Sequence, residues 1–158
     1  IKYPKEIPAG IVSKRTFSSI DIMPTICELV GFGLPDNPVD GKNAWDIITS
    51  KPGAKNPHKY YPSFKSLELQ GIITPDGQWK LHLPHSYLGV SVQGTGGLKA
   101  PKDQESEIEL SLFNLNDDPK ESVNVIHQYP ELADRLQGYA HEYLAKWPDA
   151  KRVIKKKK

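Results

Sequence analysis

The stretch "LQGIITPDGQWKLHL", residues 69–83, decides the fold. Apolar and polar residues alternate on both sides of Pro75-Asp76-Gly77, and such a turn between two alternating runs predicts a β-hairpin. In the second run Trp79, Leu81 and Leu83 share one face, and Gln78, Lys80 and His82 share the other. Upstream, "KYYPSF" (residues 59–64) reads as a short strand, and Pro62 places it at a sheet edge because proline lacks a ladder donor. Downstream, "IELSLFNL" (residues 108–115) reads as one more strand, with Ile108, Leu110 and Leu112 on one side. Residues 84–106 between them read as a long loop centred on "GTGG" (residues 94–97).

Two helical segments flank this β region. "PELADRLQGYAHEYLAKW", Pro130 to Trp147, spaces Leu132, Leu136, Tyr139, Tyr143 and Trp147 as an apolar stripe. Pro130 suits the first turn, Glu131 and Asp134 suit its positive end, and Pro148 ends it. Near the start, "SSIDIMPTICELVGFG" predicts a short helix with Asp21 as N-cap and Pro24 third in the helix. Ile22, Ile26, Leu29 and Val30 fall on one face, and Gly31 or Gly33 closes it. Turns at Pro35, Pro38 and Asp40-Gly41 lead to a short helix through Trp45, Ile47 and Ile48. The polar connector "KPGAKNPHK", residues 51–59, is the natural boundary. The expected class is α+β: a small antiparallel sheet of about four strands packed against one long C-terminal helix. Residues 1–50 form a separate leading segment, 51–149 the sheet domain, and 150–158 a basic tail.

The totals narrow the partners. Hydrophobic residues make up 37% and charged residues 25% of 158, the mix of a soluble globular protein. The net charge is +2, and without the four terminal lysines it is −2, so no general basic face for nucleic acid is expected. No apolar run approaches the roughly 18 residues of a membrane span. The opening "IKYPKEIPAG" has no apolar signal core, and its start at Ile1 reads as a fragment or processed product. One cysteine, Cys27, allows no internal disulfide and reads as a buried inert thiol.

Chemistry is sparse. "LFNLNDDPKESVN", residues 112–124, is rich in oxygen ligands, yet neither EF-hand register places Gly sixth and Glu twelfth. Asp118-Pro119 instead reads as a turn in which Asp and Asn side chains cap backbone N–H groups. The histidines show no HExxH or HxH spacing. Lys80, His82 and His85 together are able to face an anionic ligand, or else line an exposed polar strand face. His58, His127 and His141 read as surface residues. No nucleophile elbow, P-loop or dinucleotide fingerprint is present. The residues alone therefore give no catalytic set and no metal set.

In order along the chain, "YPKEIPAG", "SSIDIMPTICELVGFGLP", "VDGKNAWDIIT", "GIITPDGQWKLHL", "SLFNLNDDPKESVNV" and "YPELADRLQGYAHEYLAKW" resemble the C-terminal portion of a type I sulfatase. These are the formylglycine-dependent arylsulfatases of the alkaline phosphatase superfamily, and the resemblance reaches about Trp147. It implies that residues 1–50 are the trailing segment of a large α/β catalytic domain, with its last helix and strand remnants, and that the rest is the small C-terminal subdomain. It further implies a parent hydrolase of sulfate esters, on sugars or aryl groups, that uses Ca²⁺ and formylglycine. The C/S-x-P-S/A-R signature that supplies the formylglycine is absent, since Glu28-Leu29-Val30 follow Cys27. This chain is therefore expected to hold no cofactor and to be inactive alone, its partner being the missing N-terminal catalytic domain.

By resemblance, the end of the "WKLH" strand and the loop after it approach the active-site cleft. His85, in a His85-Ser86 pair, with His82, Lys80 and more weakly Ser63, is the substrate-binding set; catalytic and metal residues are none. The resemblance implies a periplasmic or secreted protein. Two alternatives stay open: a stand-alone interaction or carbohydrate-binding module, and a phosphate or phosphonate ester hydrolase of the same superfamily. Self-association through exposed apolar surface is a further expectation of a chain parted from its body.

Overall fold

A computed structural model describes residues 1–13, 15–89, 96 and 104–147. Among the described residues are six strands: β1 (Tyr61–Lys65), β2 (Glu68–Ile73), β3 (Trp79–His82), β4 (His85–Gly89), β5 (Gln104–Ile108) and β6 (Ser111–Asn114). Three α-helices accompany them: α1 (Ile22–Val30), α2 (Trp45–Ile48) and α3 (Pro130–Lys146). The class is α+β. Two compact units form, one from Ile1–Tyr61 with the turn Thr74–Gly77, the other from Pro62–Ile73 with the described residues from Gln78 onward. Among the described residues no helix is long and apolar enough to cross a membrane.

In the second unit the hairpin forms as the alternation requires. β2 and β3 pair antiparallel, with Ile72 opposite Leu81. The turn between them closes with Gly77 N–H donating to the Thr74 carbonyl at 2.9 Å. Gly77 has φ +75°, a conformation a side chain resists. β3 pairs antiparallel with β6, placing Leu81 opposite Leu112. The sheet runs β1-β2-β3-β6, so Pro62 does lie on an edge strand.

One face of this sheet is the core. Ile72, Leu81 and Leu112 sit side by side in register and are wholly buried. α3 packs on β2 and β3 and buries Ala133, Leu136, Ala140 and Leu144. Each large aliphatic side chain removed from water here contributes on the order of 1.5–3 kcal/mol. The buried stripe is rotated from the expected one: Leu132, Tyr139 and Tyr143 are half-buried and Trp147 is exposed. The alanines explain the difference, since small residues let the helix lie close on the sheet while the rings flank it. Tyr143 meets Phe64 at 5.4 Å and Tyr129 meets Trp79 at 4.8 Å.

Two readings of residues 84–115 need correction. Residues 85–89 and 104–108 are not loop but the strands of a two-stranded antiparallel arm, β4 and β5. "IELSLFNL" is not one strand either. Its chain leaves the arm at Ile108 and enters the main sheet at Ser111, so Ile108 and Leu112 belong to different sheets. Apart from Gly96, the "GTGG" centre lies outside the described residues, as do Pro148 and the basic tail.

In the first unit Asp21 precedes α1, but its side chain makes no cap bond. It is fully buried, and its Oδ1 accepts from Lys42 N–H at 2.8 Å and His58 Nε2 at 2.6 Å. His58 is therefore no surface residue; its side chain is 9% exposed. Its partner lies 37 residues away, which no local spacing reveals. Thr25 Oγ1 donates to the Asp21 carbonyl at 2.6 Å and accepts Ala44 N–H at 3.0 Å. Gly31, φ +69°, closes α1, and Phe32 N–H donates back to the Cys27 carbonyl at 2.8 Å. The apolar face of the helix is open: Ile22, Ile26, Leu29 and Val30 are 40–61% exposed.

Candidate functional site

β3 positions the site by its alternation. Leu81 points into the core, so Lys80 and His82 stand on the opposite face of the sheet. There the connector after β6 brings Glu121 to both of them. Lys80 Nζ donates to Glu121 Oε1 at 2.7 Å, and His82 Nε2 donates to Glu121 Oε2 at 2.5 Å. The three side chains are 14–26% exposed. His85, at the start of β4, stacks on His82 with ring centroids 5.4 Å apart and planes 22° apart. Phe113 meets His82 edge-on at 5.6 Å, and Tyr87 meets His85 at 6.5 Å.

The electrostatics follow. Burial pushes the His82 imidazole below its ordinary value of 6.5; the bond to Glu121 opposes this and the Lys80 charge adds to it. For Glu121 burial acts upward, but the hydrogen bonds from Lys80 and His82 prevail and hold the carboxyl below its ordinary 4.5. His82 is thus neutral, with its proton on Nε2, because a carboxylate only accepts. Its Nδ1 is buried without a partner. A proton there would be a buried, unpaired donor, which disfavours the cation. Lys80 and Glu121 cancel, so the cluster is neutral.

Lys80 and His82 thus share one carboxylate, that of Glu121. His85 Nδ1 donates to the Leu83 carbonyl at 2.6 Å. Of the predicted set, the structure brings together Lys80, His82 and His85. Ser63 sits half-buried on β1, with β2 between it and β3, and no hydrogen bond joins it to the cluster.

The connector that delivers Glu121 is a capped turn. Asp118 Oδ2 accepts Ser122 N–H at 2.6 Å and Val123 N–H at 2.7 Å. Bonds to backbone N–H groups, that of Val123 first, hold the Asp118 carboxyl below its ordinary 3.8. Asn124 Oδ1 accepts from Leu112 N–H and Ile126 N–H, each at 3.0 Å. Glu121 itself has φ +56°. Sequence reasoning passed over it, although it is the Glu of the "DDPKESVN" run, because that run reads as a connector.

The residues present do not fit the two groups that the resemblance implies. Cys27 is half-buried in α1, not fully buried, with Sγ 3.8 Å from Met23 Sδ. No formylglycine signature surrounds it. Among the described residues no group of three or more His, Cys, Asp and Glu is placed to hold a metal ion.

The fold and the cluster together define a sheet-and-helix domain with a histidine stack at one strand end, and the chain is similar to part of the sulfatases. It is 26% identical to mouse (Mus musculus) arylsulfatase G over 140 residues, covering 85% of this chain and 25% of that protein. It is 27% identical to human (Homo sapiens) arylsulfatase K over 142 residues, covering 87% of this chain and 24% of that protein. The chain thus spans about a quarter of these curated relatives, the share a C-terminal portion would occupy. Among solved structures, one described under the metabolism of multiple glycosaminoglycans by Bacteroides thetaiotaomicron has a TM-score of 0.54 and 21% identity. The alignment covers 80% of this chain and 25% of that one. Another, a protein in complex with its substrate D-glucosamine-2-N,6-O-disulfate, has a TM-score of 0.51 and 20% identity, covering 94% of this chain and 28% of that one. No family model matches.

Proposed function

We propose that the chain is the C-terminal portion of a sulfuric ester hydrolase of arylsulfatase type. In this reading it completes the fold of a larger protein and meets the organic part of the substrate. The observation that carries the reading is the pair of coverages: most of this chain matches arylsulfatases G and K, while only about a quarter of each is matched. The open apolar face of α1 supports it, since a stand-alone module would cover such a face.

His85, stacked on His82, supplies orientation, not bond cleavage. Holding a reactant in register lowers the entropic part of the barrier. Glu121 keeps His82 upright and Lys80 neutralised beneath it. Ser63 is a weaker contact of the same kind, nearer the rim. The nucleophile and the metal belong to the rest of the protein, where formylglycine and Ca²⁺ would supply the attacking oxygen and the charge neutralisation. The 158-residue chain is inert alone. The substrate is a sulfate ester of a sugar or aryl group, and the protein acts in the periplasm or outside the cell.

The test is turnover of 4-nitrophenyl sulfate with Ca²⁺ by the parent protein and by this chain. The parent should turn over and the chain should not; turnover of a phosphate ester in preference would redirect the reading within the superfamily. In the parent, His85→Ala should lower kcat/KM unequally across a set of sulfate esters. An equal change across the set, or none, removes His85 from substrate selection.

A further inference from the structure

The β4–β5 arm carries two different faces. The register sets Ser86 opposite Glu107 and Leu88 opposite Glu105, so these four share one face. His85, Tyr87, Ser106 and Ile108 share the other. On the first face Glu105 and Glu107 are exposed and Leu88 is 62% exposed, and an exposed Glu109 follows β5 directly. Among the described residues no cation pairs with these three carboxylates. The arm is a sheet of two strands, and two strands alone are marginal in water unless something packs on them.

The sequence holds a complement. Residues 148–158, "PDAKRVIKKKK", lie outside the described residues. They carry six cations, Lys151, Arg152 and Lys155 to Lys158, against one acidic side chain, Asp149, and Val153 and Ile154 divide the cations. The helix that leads to them runs toward the arm. β1 and β2 are paired and joined by only two residues, so their turn lies where Gly71 faces His82, the end at which β3 passes into the arm. Tyr129, before α3, meets Trp79 at the far end of β3, and Tyr143, near the end of α3, meets Phe64 beside that turn. Eleven residues reach up to about 40 Å, and a five-residue strand such as β4 is about 17 Å long. One exposed ion pair is weak. Several on a tethered segment act at high effective concentration and fade together as salt rises.

We propose that the arm face bearing Ser86, Leu88, Glu105 and Glu107 is the docking surface for the chain's own residues 151–158. Their cations pair with Glu105, Glu107 and Glu109, and Val153 and Ile154 meet Leu88. The segment acts as a strap that steadies the arm, and with it the opposite face that carries His85 and Tyr87. Its hold depends on ionic strength and not on what the parent protein hydrolyses.

The experiment compares backbone ¹H–¹⁵N spectra of the 158-residue chain with those of a chain cut after Trp147, at about 20 mM and about 1 M NaCl. At low salt the amides of Ser86, Leu88, Glu105 and Glu107 should differ between the two, while those of Ile72, Leu81, His82 and Leu112 coincide. At high salt the differences should shrink at least threefold. Amide exchange in the arm should be at least threefold faster in the shortened chain at low salt. Lys155→Gln, Lys156→Gln, Lys157→Gln and Lys158→Gln together should reproduce the shortened chain's arm spectrum. In Glu105→Gln with Glu107→Gln, both at exposed positions, the cut should leave Ser86 and Leu88 unmoved. The lysine changes lie outside the described fold, so they test the docking even where the arm variant fails to fold. Arm amides that coincide in the two chains, differences that survive high salt, or lysine changes without effect would each overturn the proposal. So would differences that vanish on tenfold dilution, which would make a second copy of the chain the occupant.

Discussion

Glu121 holds a left-handed backbone, φ +56°, that costs a non-glycine residue about 1 kcal/mol or more. Its two carboxylate oxygens offset this by closing the bonds to Lys80 and His82. Glu121→Ala leaves a mostly buried ammonium and an imidazole N–H unpaired. It should destabilise the second unit by about 2 kcal/mol, read as a lower urea midpoint. The pH dependence has a definite sign. His82 is depressed in the fold, so as pH falls below about 6.5 the unfolded chain takes a proton that the native chain refuses, and stability drops. Glu121 is also depressed; its contribution is present above 4.5 and is lost as pH falls through its lower folded value. Urea melts from pH 7.5 downward should therefore show falling stability, with a shallower decline below pH 4.5 in Glu121→Gln. Gly41 makes a different point. A Cβ there would lie 1.9 Å from the Ile20 carbonyl oxygen, so Asp40-Gly41 marks a close backbone approach more than a simple turn. Gly41→Ala should destabilise the first unit by about 1–3 kcal/mol in thermal melts, with no change in the His82 spectrum.

At the scale of elements, α1 and α3 obey the same helical spacing and end differently. In α3 the sheet covers the stripe, and Leu136 is fully buried. Leu136→Ala should cost about 2–5 kcal/mol, depending on how far the cavity collapses, measured by denaturant unfolding. In α1 only Pro24 and Thr25 are buried, and the apolar side is open. The double change Ile26→Glu, Val30→Lys should leave the melting midpoint of the isolated chain nearly unchanged and reduce any self-association seen in sedimentation. In the parent protein the same change should lower soluble yield, because there the face is covered in the proposed reading. A large loss of stability in the isolated chain would show that the face is packed.

At the scale of the whole molecule, legibility followed the range of the interactions. The hairpin, the edge position of Pro62, the Gly31 stop and the capped turn at Asp118 were readable, because each is set by residues a few positions apart. The β4–β5 arm was not, since its strands are separated by a long stretch and "HSYLG" and "QESEI" carry no apolar alternation. The exact buried stripe of α3 was missed because alanines score weakly as core residues yet permit the closest approach. The candidate site was half legible. Alternation put Lys80 and His82 on one face, but the Glu121 that neutralises them lies 39 and 41 residues on, and the Asp21–His58 pair is equally remote.

The most direct measurement is the reading frame that precedes the codon for Ile1 in the gene. The account predicts a continuous frame that encodes a C/S-x-P-S/A-R signature within a larger α/β domain. A stop codon closely preceding an initiator, or a long upstream frame without that signature, would contradict it.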